Sequence, residues 1–378
     1  MSREKVLVYF GKLGGRLQEH QRLMLIKDAQ TIAQLLSCEF GGEYCAERCF
    51  DGPAFYVPDD SLLPDEATLL GIQSPAGFYG GIVPFPFVKT KAITHRLLDK
   101  DSVHPVGWSF DFSNRLREVV LGGYTVFSHK DARRAAACLL NRGSVRIKSP
   151  LGASGKGQNV VRSLAELDQL EKSWDANGLT EHGLVFEEQI HNARTLSVGL
   201  VRLRDISVAY CGTQRITNDN NRHSIYGGST LMCVRGGWDA LENLRLTKNL
   251  RLAVRQAKIY DQAMEAYQGF TASRRNYDVG QGTDDRGNWR SGVFESSWRV
   301  GGATAAELLA IKSFLEDPSL LTIRVCHREE YGRDGMAPDG SIIHFQGDDP
   351  VAGPVIRYTI AESLLRQAMH RGFARKNV

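Results

Sequence analysis

Two spacings of apolar positions organise this chain. KVLVYF, residues 5–10, reads as a buried strand closed by the turn-rich GKLGG. From His20 to Cys38 apolar residues recur at the helical period, with Leu25, Ala29, Ile32, Ala33 and Leu36 on one face. AFYVPDDSL (54–62) and GGIVPFPFV (80–88) read as a strand leaving into a loop and a proline-rich connection. This β–α–β order predicts a small open α/β domain. The pattern loosens over Val103–Asp111, so a boundary is placed there and the first domain is taken as 1–105.

Beyond it, Ser128 with Asp131 three positions on reads as a helix start, and ARRAAACLL continues it. GSVRIKSP is a strand stopped by proline, Ser163–Glu166 a capping box opening a helix to about Trp174, and LVFEEQI (184–190) a strand. LSVGLVRL and ISVAYCG form a hairpin turning at Arg204-Asp205. The polar stretch Thr213–Ser229 reads as a loop. A long helix follows, with Leu246, Leu250, Val254, Ala257 and Met264 on one face and Asp239 or Asn243 as N-cap. Two strands then flank a turn at residues 284–287, and Thr304-Ala-Ala-Glu307 reads as a capping box opening a helix to about Leu315. LLTIRVCH and SIIHFQG are further strands, with a terminal helix expected from about Thr359.

Composition narrows the class without choosing a function. The 378 residues are 42% hydrophobic and 24% charged, which suits a globular protein with two or three lobes. A net charge of +4 without basic runs or aromatic-basic motifs gives no argument for nucleic acid. The N-terminus lacks the apolar segment and cleavage site of a signal peptide, and no apolar stretch approaches the ~20 residues of a membrane span. A cytoplasmic protein is expected, without nucleic-acid or membrane partners; its oligomeric state is left open. Seven scattered cysteines form no disulfide framework. Cys45 and Cys49 could share a helix face, and buried free thiols are the expected reading.

The chemistry concentrates in three places. RIKSPLGASGKGQNVV (146–161) carries Lys148 on a strand, then Gly155, Lys156 and Gly157 in a flexible loop. Glycines let backbone N–H groups converge on an anion, and the lysines add charge. The loop is neither a Walker loop, because Gly157 stands where a hydroxyl is required, nor a dinucleotide fingerprint, because the third glycine is missing. A plain hairpin loop is the alternative. Asp278 and Glu295, with Arg299 four residues later, could converge from neighbouring strands on magnesium, or form an ordinary surface hairpin. In a strand Glu295, Ser297 and Arg299 share a face. The pair Glu187-Glu188 lies on a strand between two apparent lobes.

Taken in order, these pieces resemble the ATP-grasp superfamily over about residues 128–315: helix SHKDARRAAACLL, strand VRIKSP, loop LGASGKGQ, hinge strand LVFEEQI, RTLSVGLV, YDVG and ESSWRVGGAT. The resemblance implies an α/β fold in which the N-terminal open α/β domain precedes a two-lobed α+β ATP-grasp unit, with a lid at 106–190 and a metal-bearing lobe at 191–378. It implies that Lys148 contacts the α-phosphate region, that Gly155, Lys156 and Gly157 cover the β- and γ-phosphates, and that Glu187 and Glu188 border adenine and ribose. Asp278 and Glu295 would bind Mg2+, Arg299 would stabilise the transferred phosphate, and Lys130 would be a further nucleotide lysine. The family commonly has Glu-x-Asn-x-Arg where this chain has Glu295-Ser-Ser297-Trp-Arg299, so Ser297 replaces an amide ligand and the second magnesium is put in question. The closing Arg-Val-Gly-Gly-Ala-Thr looks like that of some peptide-bond-forming members. The expected activity is an ATP-dependent ligase joining a small-molecule carboxylate to an amine or thiol through an acyl phosphate, with ATP and Mg2+ as cofactors. The alternatives are a kinase on the same fold and a non-catalytic nucleotide-binding protein. Arg215, Arg222 and His223 are candidates for holding an anionic acceptor, so that replacing the arginines raises the acceptor KM.

Overall fold

The computed structural model describes residues 4–11, 17–47, 52–152, 157–333 and 335–364. The N-terminal part contains β1 (Lys5–Tyr9), α1 (Glu19–Leu35), β2 (Glu39–Glu43), β3 (Ala54–Pro58), α2 (Pro64–Leu69) and β4 (Gly81–Ile82). β1 pairs in parallel with β2 and β3, giving the order β2-β1-β3. Val6 and Val8 pack with Leu25, Ala29, Ile32 and Ala33 of α1, as the helical spacing predicts. The proline-rich connection then makes two short 3-10 turns, Pro86–Lys89 and Lys91–Thr94.

A second sheet is built from α3 (Phe110–Arg115), β5 (Gly123–Val126), α4 (His129–Leu140), β6 (Val145–Lys148), β7 (Gln158–Val161), α5 (Leu164–Glu171), α6 (Ala176–His182) and β8 (Leu184–Glu188). Its strands run antiparallel in the order β5-β8-β6-β7. Ser128 caps α4 by accepting from Asp131 N at 3.1 Å, and Ser163 caps α5 by accepting from Glu166 N at 3.2 Å. Val126, Val145, Ile147 and Phe186 face Ala132, Ala135, Ala136 and Leu139 of α4. Strand alternation therefore turns Arg146, Lys148 and Glu187 to the opposite face.

The third sheet is the largest. Its elements are β9 (His191–Leu203), β10 (Ile206–Asn218), β11 (Ser224–Arg235), α7 (Trp238–Glu242), α8 (Lys248–Glu265), β12 (Thr271–Ala272), β13 (Arg274–Thr283), β14 (Trp289–Ser297), α9 (Thr304–Glu316), β15 (Thr322–Tyr331), β16 (Ile342–Asp349) and β17 (Gly353–Ala361). The strand order is β14-β13-β9-β10-β11-β15-β17-β16, and β12 pairs with β4. One face packs on Ala253, Val254, Ala257, Tyr260 and Met264 of α8. The other packs on α9 and, through Ala306, Ala310 and Phe314, on the core shared with α1 and β1.

Several sequence expectations change here. Thr213–Ser229 is the distal half of a β10–β11 hairpin, not a loop; only 219–223 turn, with Asp219 Oδ1 accepting from Asn221 N and His223 N at 2.8 Å. The sheet outgrows its helical cover there, so exposed strand positions are polar and mimic loop composition. The N-cap of α8 is Thr247, and Asp239 lies in α7. Thr304 begins α9, but Ala303 is the N-cap, and Glu307 turns inward instead of closing a capping box. Thr359 is in β17, and the terminal helix expected beyond it falls mainly outside the described residues, as does Cys49. Among the described residues no helix is long and apolar enough to cross a membrane.

Asp28, on the buried face of α1, lies near Glu307 and Arg274. Burial, and then the Glu307 charge, push its pKa up to about 8, against the pull of Arg274. An unfolded-chain aspartate titrates near ~3.9. The folded state therefore holds this proton more tightly, and stability drains away as pH rises from about 4 through about 8. Asp28→Asn is expected to remove that loss. Denaturant midpoints should show its advantage over the parent widening from pH 5 to pH 8; parallel curves would contradict a buried neutral Asp28.

Candidate functional site

Lys148 ends β6 on the helix-free face of the second sheet and is 4% exposed. Its Nζ pairs with Oε1 of Glu187, which is 1% exposed on neighbouring β8. His95 Nε2 reaches the other oxygen of Glu187 at 3.2 Å. Gly123 stands directly opposite Glu187 and makes this approach possible, since a Cβ there would come within 2.8 Å of the His95 ring. Burial works to raise the Glu187 pKa, but Lys148 and His95 outweigh it and bring the value down to about 2. Burial lowers the Lys148 pKa despite the attraction of Glu187.

The same lysine reaches across to the third sheet, with Nζ 4.4 Å from the centroid of the Phe294 ring on β14. Next along that strand is Glu295, whose Cα pairs with that of Asp278 on β13. Directly opposed residues of an antiparallel pair project from one face, so these two carboxylates are neighbours. Asp278 is held by Ser197 Oγ at 3.2 Å and Asn276 Nδ2 at 2.9 Å. Burial and then the charge of Glu295 raise its pKa, against the hydrogen bonds of Gln214, Asn276 and Ser197. Lys91 Nζ lies 2.9 Å from Glu295 Oε2 and also donates to the Gly152 carbonyl. One lysine of the connection thus ties the loop after β6 to the Glu295 carboxylate.

The described part of that loop closes through Ser149 N donating to Gly157 O at 2.9 Å, and Gly157 adopts φ +70°, a left-handed conformation that favours glycine. Gly155 and Lys156 lie outside the described residues. Arg299, beyond the end of β14, has Nε 4.0 Å from Asp60 Oδ1, and Lys89 Nζ is 2.9 Å from the other oxygen of Asp60. Ser297 stands opposite Asn276, so the amide absent from this strand is present on its neighbour.

Lys148, Gly157, Glu187, Asp278 and Glu295 are brought to one cleft, with Arg299 at its N-terminal rim. Five expected residues are not. Lys130 is exposed on the first turn of α4, in the helical layer behind the sheet that carries Lys148, because helix periodicity turned it to solvent. Glu188 accepts from Gly122 N at 2.9 Å and lies 3.3 Å from Arg290 Nε, tying the linker to β14. Arg215 alternates with Gln214 on β10 and so faces away from Asp278; its Nη1 is 3.4 Å from Glu330. Arg222 and His223 sit at or beside the exposed hairpin turn. Lys91 and His95 were missed because they follow the proline-rich connection in a stretch without strand or helix period. The signal available was a pair of lysines one residue apart, Lys89 and Lys91, just before a histidine.

A polar row continues from Asp278 across this face. Ser197 pairs with Asp278, Gln214 Nε2 donates to Ser197 Oγ at 2.9 Å, and Ser229, His327 and Thr359 follow as successive cross-strand partners of Gln214. Four strand spacings of ~4.8 Å put His327 about 19 Å from Asp278. Beside it Arg357 Nη2 meets Glu329 at 2.9 Å. His327 Nε2 lies 3.5 Å from Glu329 Oε1, and Arg357 Nε is buried without a hydrogen-bond partner among the described residues.

Two adjacent carboxylates, one destabilised by the other, suit a hard divalent cation. Magnesium takes one or two carboxylates and completes its shell with phosphate oxygens and water. Among the described residues no three His, Cys, Asp or Glu side chains cluster for a metal. The donor set therefore fits a cation shared with a phosphate ligand better than a closed protein cage.

The model of a family described as "Protein of unknown function (DUF3182)" matches residues 8–359. A comparison with curated proteins finds no match. Among solved structures, an ADP complex of N5-carboxyaminoimidazole ribonucleotide synthetase is similar with a TM-score of 0.52 at 14% identity, covering 97% of this chain and 96% of that one. The N5-carboxyaminoimidazole synthetase from Staphylococcus aureus complexed with ADP is similar with a TM-score of 0.52 at 10% identity, covering 98% and 96%.

Proposed function

We propose that this chain, which belongs to the DUF3182 family and has the fold of the ATP-grasp superfamily, is an ADP-forming ligase that joins a small-molecule carboxylate to an amine or thiol. The observation that carries the reading is the convergence of Lys148 and the Asp278–Glu295 pair from two different sheets. ADP bound to structurally similar proteins supports the nucleotide.

Lys148, buried and able to exchange Glu187 for a phosphate oxygen, would bind the nucleotide phosphates, and Lys91 would do the same beside the lid loop. Asp278 and Glu295 would hold magnesium, which supplies charge neutralisation at the transferring phosphoryl group. The acid's carboxylate oxygen attacks the γ-phosphorus, and ADP leaves with the electrons of the broken P–O bond. The amine or thiol then attacks the acyl carbon of the acyl phosphate, and inorganic phosphate leaves as the nucleophile's proton is lost. Arg299 would stabilise charge on the moving phosphoryl group. Closure of the lid over the cleft would keep water from the acyl phosphate. The polar row ending at His327 and Arg357 is the acceptor wall in this reading, in place of Arg215 and Arg222.

Incubation with Mg-ATP, candidate acids and candidate amines should release ADP and phosphate only when both partners are present. AMP release would overturn the mechanism. A stable phosphorylated product without free phosphate would transfer the protein to the kinases.

A further inference from the structure

The cleft is backed by a buried polar chain that the reaction itself does not call for. Glu307, on the first turn of α9, is 0% exposed and lies against Arg274 of β13, with Arg274 Nη2 at 2.8 Å and Nε at 3.1 Å from Oε1. Two tyrosine hydroxyls also reach it: Tyr79 on Oε2, and Tyr210 of β10 on Oε1 at 2.6 Å. Tyr210 Oη is at the same time 2.9 Å from Asn276 Oδ1, and Asn276 Nδ2 donates to Asp278 Oδ1 at 2.9 Å. From the other side of the pair, Arg274 Nη1 donates to the Arg299 carbonyl at 2.6 Å and approaches that of Ser297 at 3.4 Å.

The chemistry of each link sets the next. Tyr210 has one hydroxyl proton to share between Glu307 and Asn276. The shorter, charge-assisted contact is to the Glu307 carboxylate at 2.6 Å, and the Asn276 carbonyl at 2.9 Å is the second acceptor of the same bifurcated donor. An amide whose oxygen accepts from the tyrosine must turn its N–H groups the other way, toward Asp278. A buried ion pair adds little net stability over apolar residues of the same volume, so packing alone gives no reason for this set. What the set does is orient two parts of the cleft from one anchor: the Asp278 carboxylate through Tyr210 and Asn276, and the backbone that carries Arg299 through Arg274.

We propose that Tyr210 and Asn276 are positioning residues that hold the Asp278 carboxylate in its cation-binding orientation, with Glu307 as their anchor. The proposal rests on the reading of Asp278 as a metal ligand. It assigns the amide opposite Ser297 a different task from the one it would have on β14, where it would touch the cation itself.

The test compares Tyr210→Phe with Tyr79→Phe, using Mn2+ titrated against the ADP-bound protein and detected by electron paramagnetic resonance. Both variants remove one hydroxyl from Glu307; only Tyr210→Phe cuts the chain to Asp278. Tyr210→Phe is expected to weaken Mn2+ about tenfold, with kcat falling and the acceptor KM unchanged, while Tyr79→Phe stays within about twofold. Asn276→Leu, which cuts the next link at similar volume, is expected to weaken Mn2+ at least as much as Tyr210→Phe. Equal Mn2+ affinity in Tyr210→Phe and the parent overturns the proposal, as does an equal loss in both tyrosine variants, which marks a structural role only. A parent protein that binds ADP but no Mn2+ overturns the assignment of Asp278 as well. A parent that binds neither overturns the nucleotide reading.

Discussion

Asp278→Asn is expected to lower kcat for ADP formation by about a thousandfold, close to 4 kcal/mol of transition-state stabilisation. The replacement keeps the shape and the carbonyl oxygen on which Ser197 and Asn276 converge, and it removes only the charge. In the folded protein that charge is unwelcome, since burial and Glu295 both raise the Asp278 pKa. Thermal stability should therefore hold or rise while activity collapses. This opposition separates a cation-binding carboxylate from a structural one, whose loss would lower both. A variant with unchanged kcat, or one that loses activity only because it unfolds, would remove Asp278 from the mechanism. The same substitution should leave ADP affinity measured without metal unchanged, because Lys148 and Lys91 would still face the phosphates.

The second large effect concerns the buried Lys148–Glu187 pair. Lys148→Met leaves Glu187 buried with only the His95 ring beside it, and breaking such a pair costs roughly 3–5 kcal/mol. Nucleotide affinity should fall at least about tenfold, or ~1.4 kcal/mol. The double variant Lys148→Met/Glu187→Gln removes both charges together, so most of the lost stability should return. Nucleotide affinity should not return, because a neutral methionine has nothing to offer phosphate. Denaturant unfolding and ADP titration on the single and double variants check the two halves separately. If ADP binds the single variant as tightly as the parent, Lys148 is a structural residue alone. If the double variant is no more stable than the single, the pair is not coupled as its geometry requires.

The residues that emerged from the sequence share a property. Lys148, Asp278 and Glu295 each sit in or beside a strand whose apolar neighbours declare its register, so their side chains could be assigned to a face before their partners were known. Glu187 emerged with them, but its neighbour Glu188 was read the same way and does a different job, since adjacent strand residues point apart and the pattern VFEE does not say which face holds the cleft. Lys91 and His95 escaped because their segment has no period at all. Two 3-10 turns place them between sheets, and their importance comes from what approaches them: Gly152, Glu295 and Glu187, at sequence separations of roughly 60 to 200 residues. Thr304-Ala-Ala-Glu307 was misread for a related reason. A glutamate three residues past a threonine normally closes a capping box, yet the buried Arg274 guanidinium offers a stronger, charge-assisted partner than a backbone N–H.

Local periodicity thus determined much of the order of strands and helices and the identity of the charged residues most worth following. These are properties of a chain's own spacing, set by 3.6 residues per helical turn and two per strand repeat. Tertiary structure alone decided which charges meet: that one lysine would bind a glutamate from its own sheet while lying over a ring from another, and that a carboxylate from α9 would steady a carboxylate on β13. Electrostatic and hydrogen-bond energies depend on separation in space and on burial, and a linear pattern records neither.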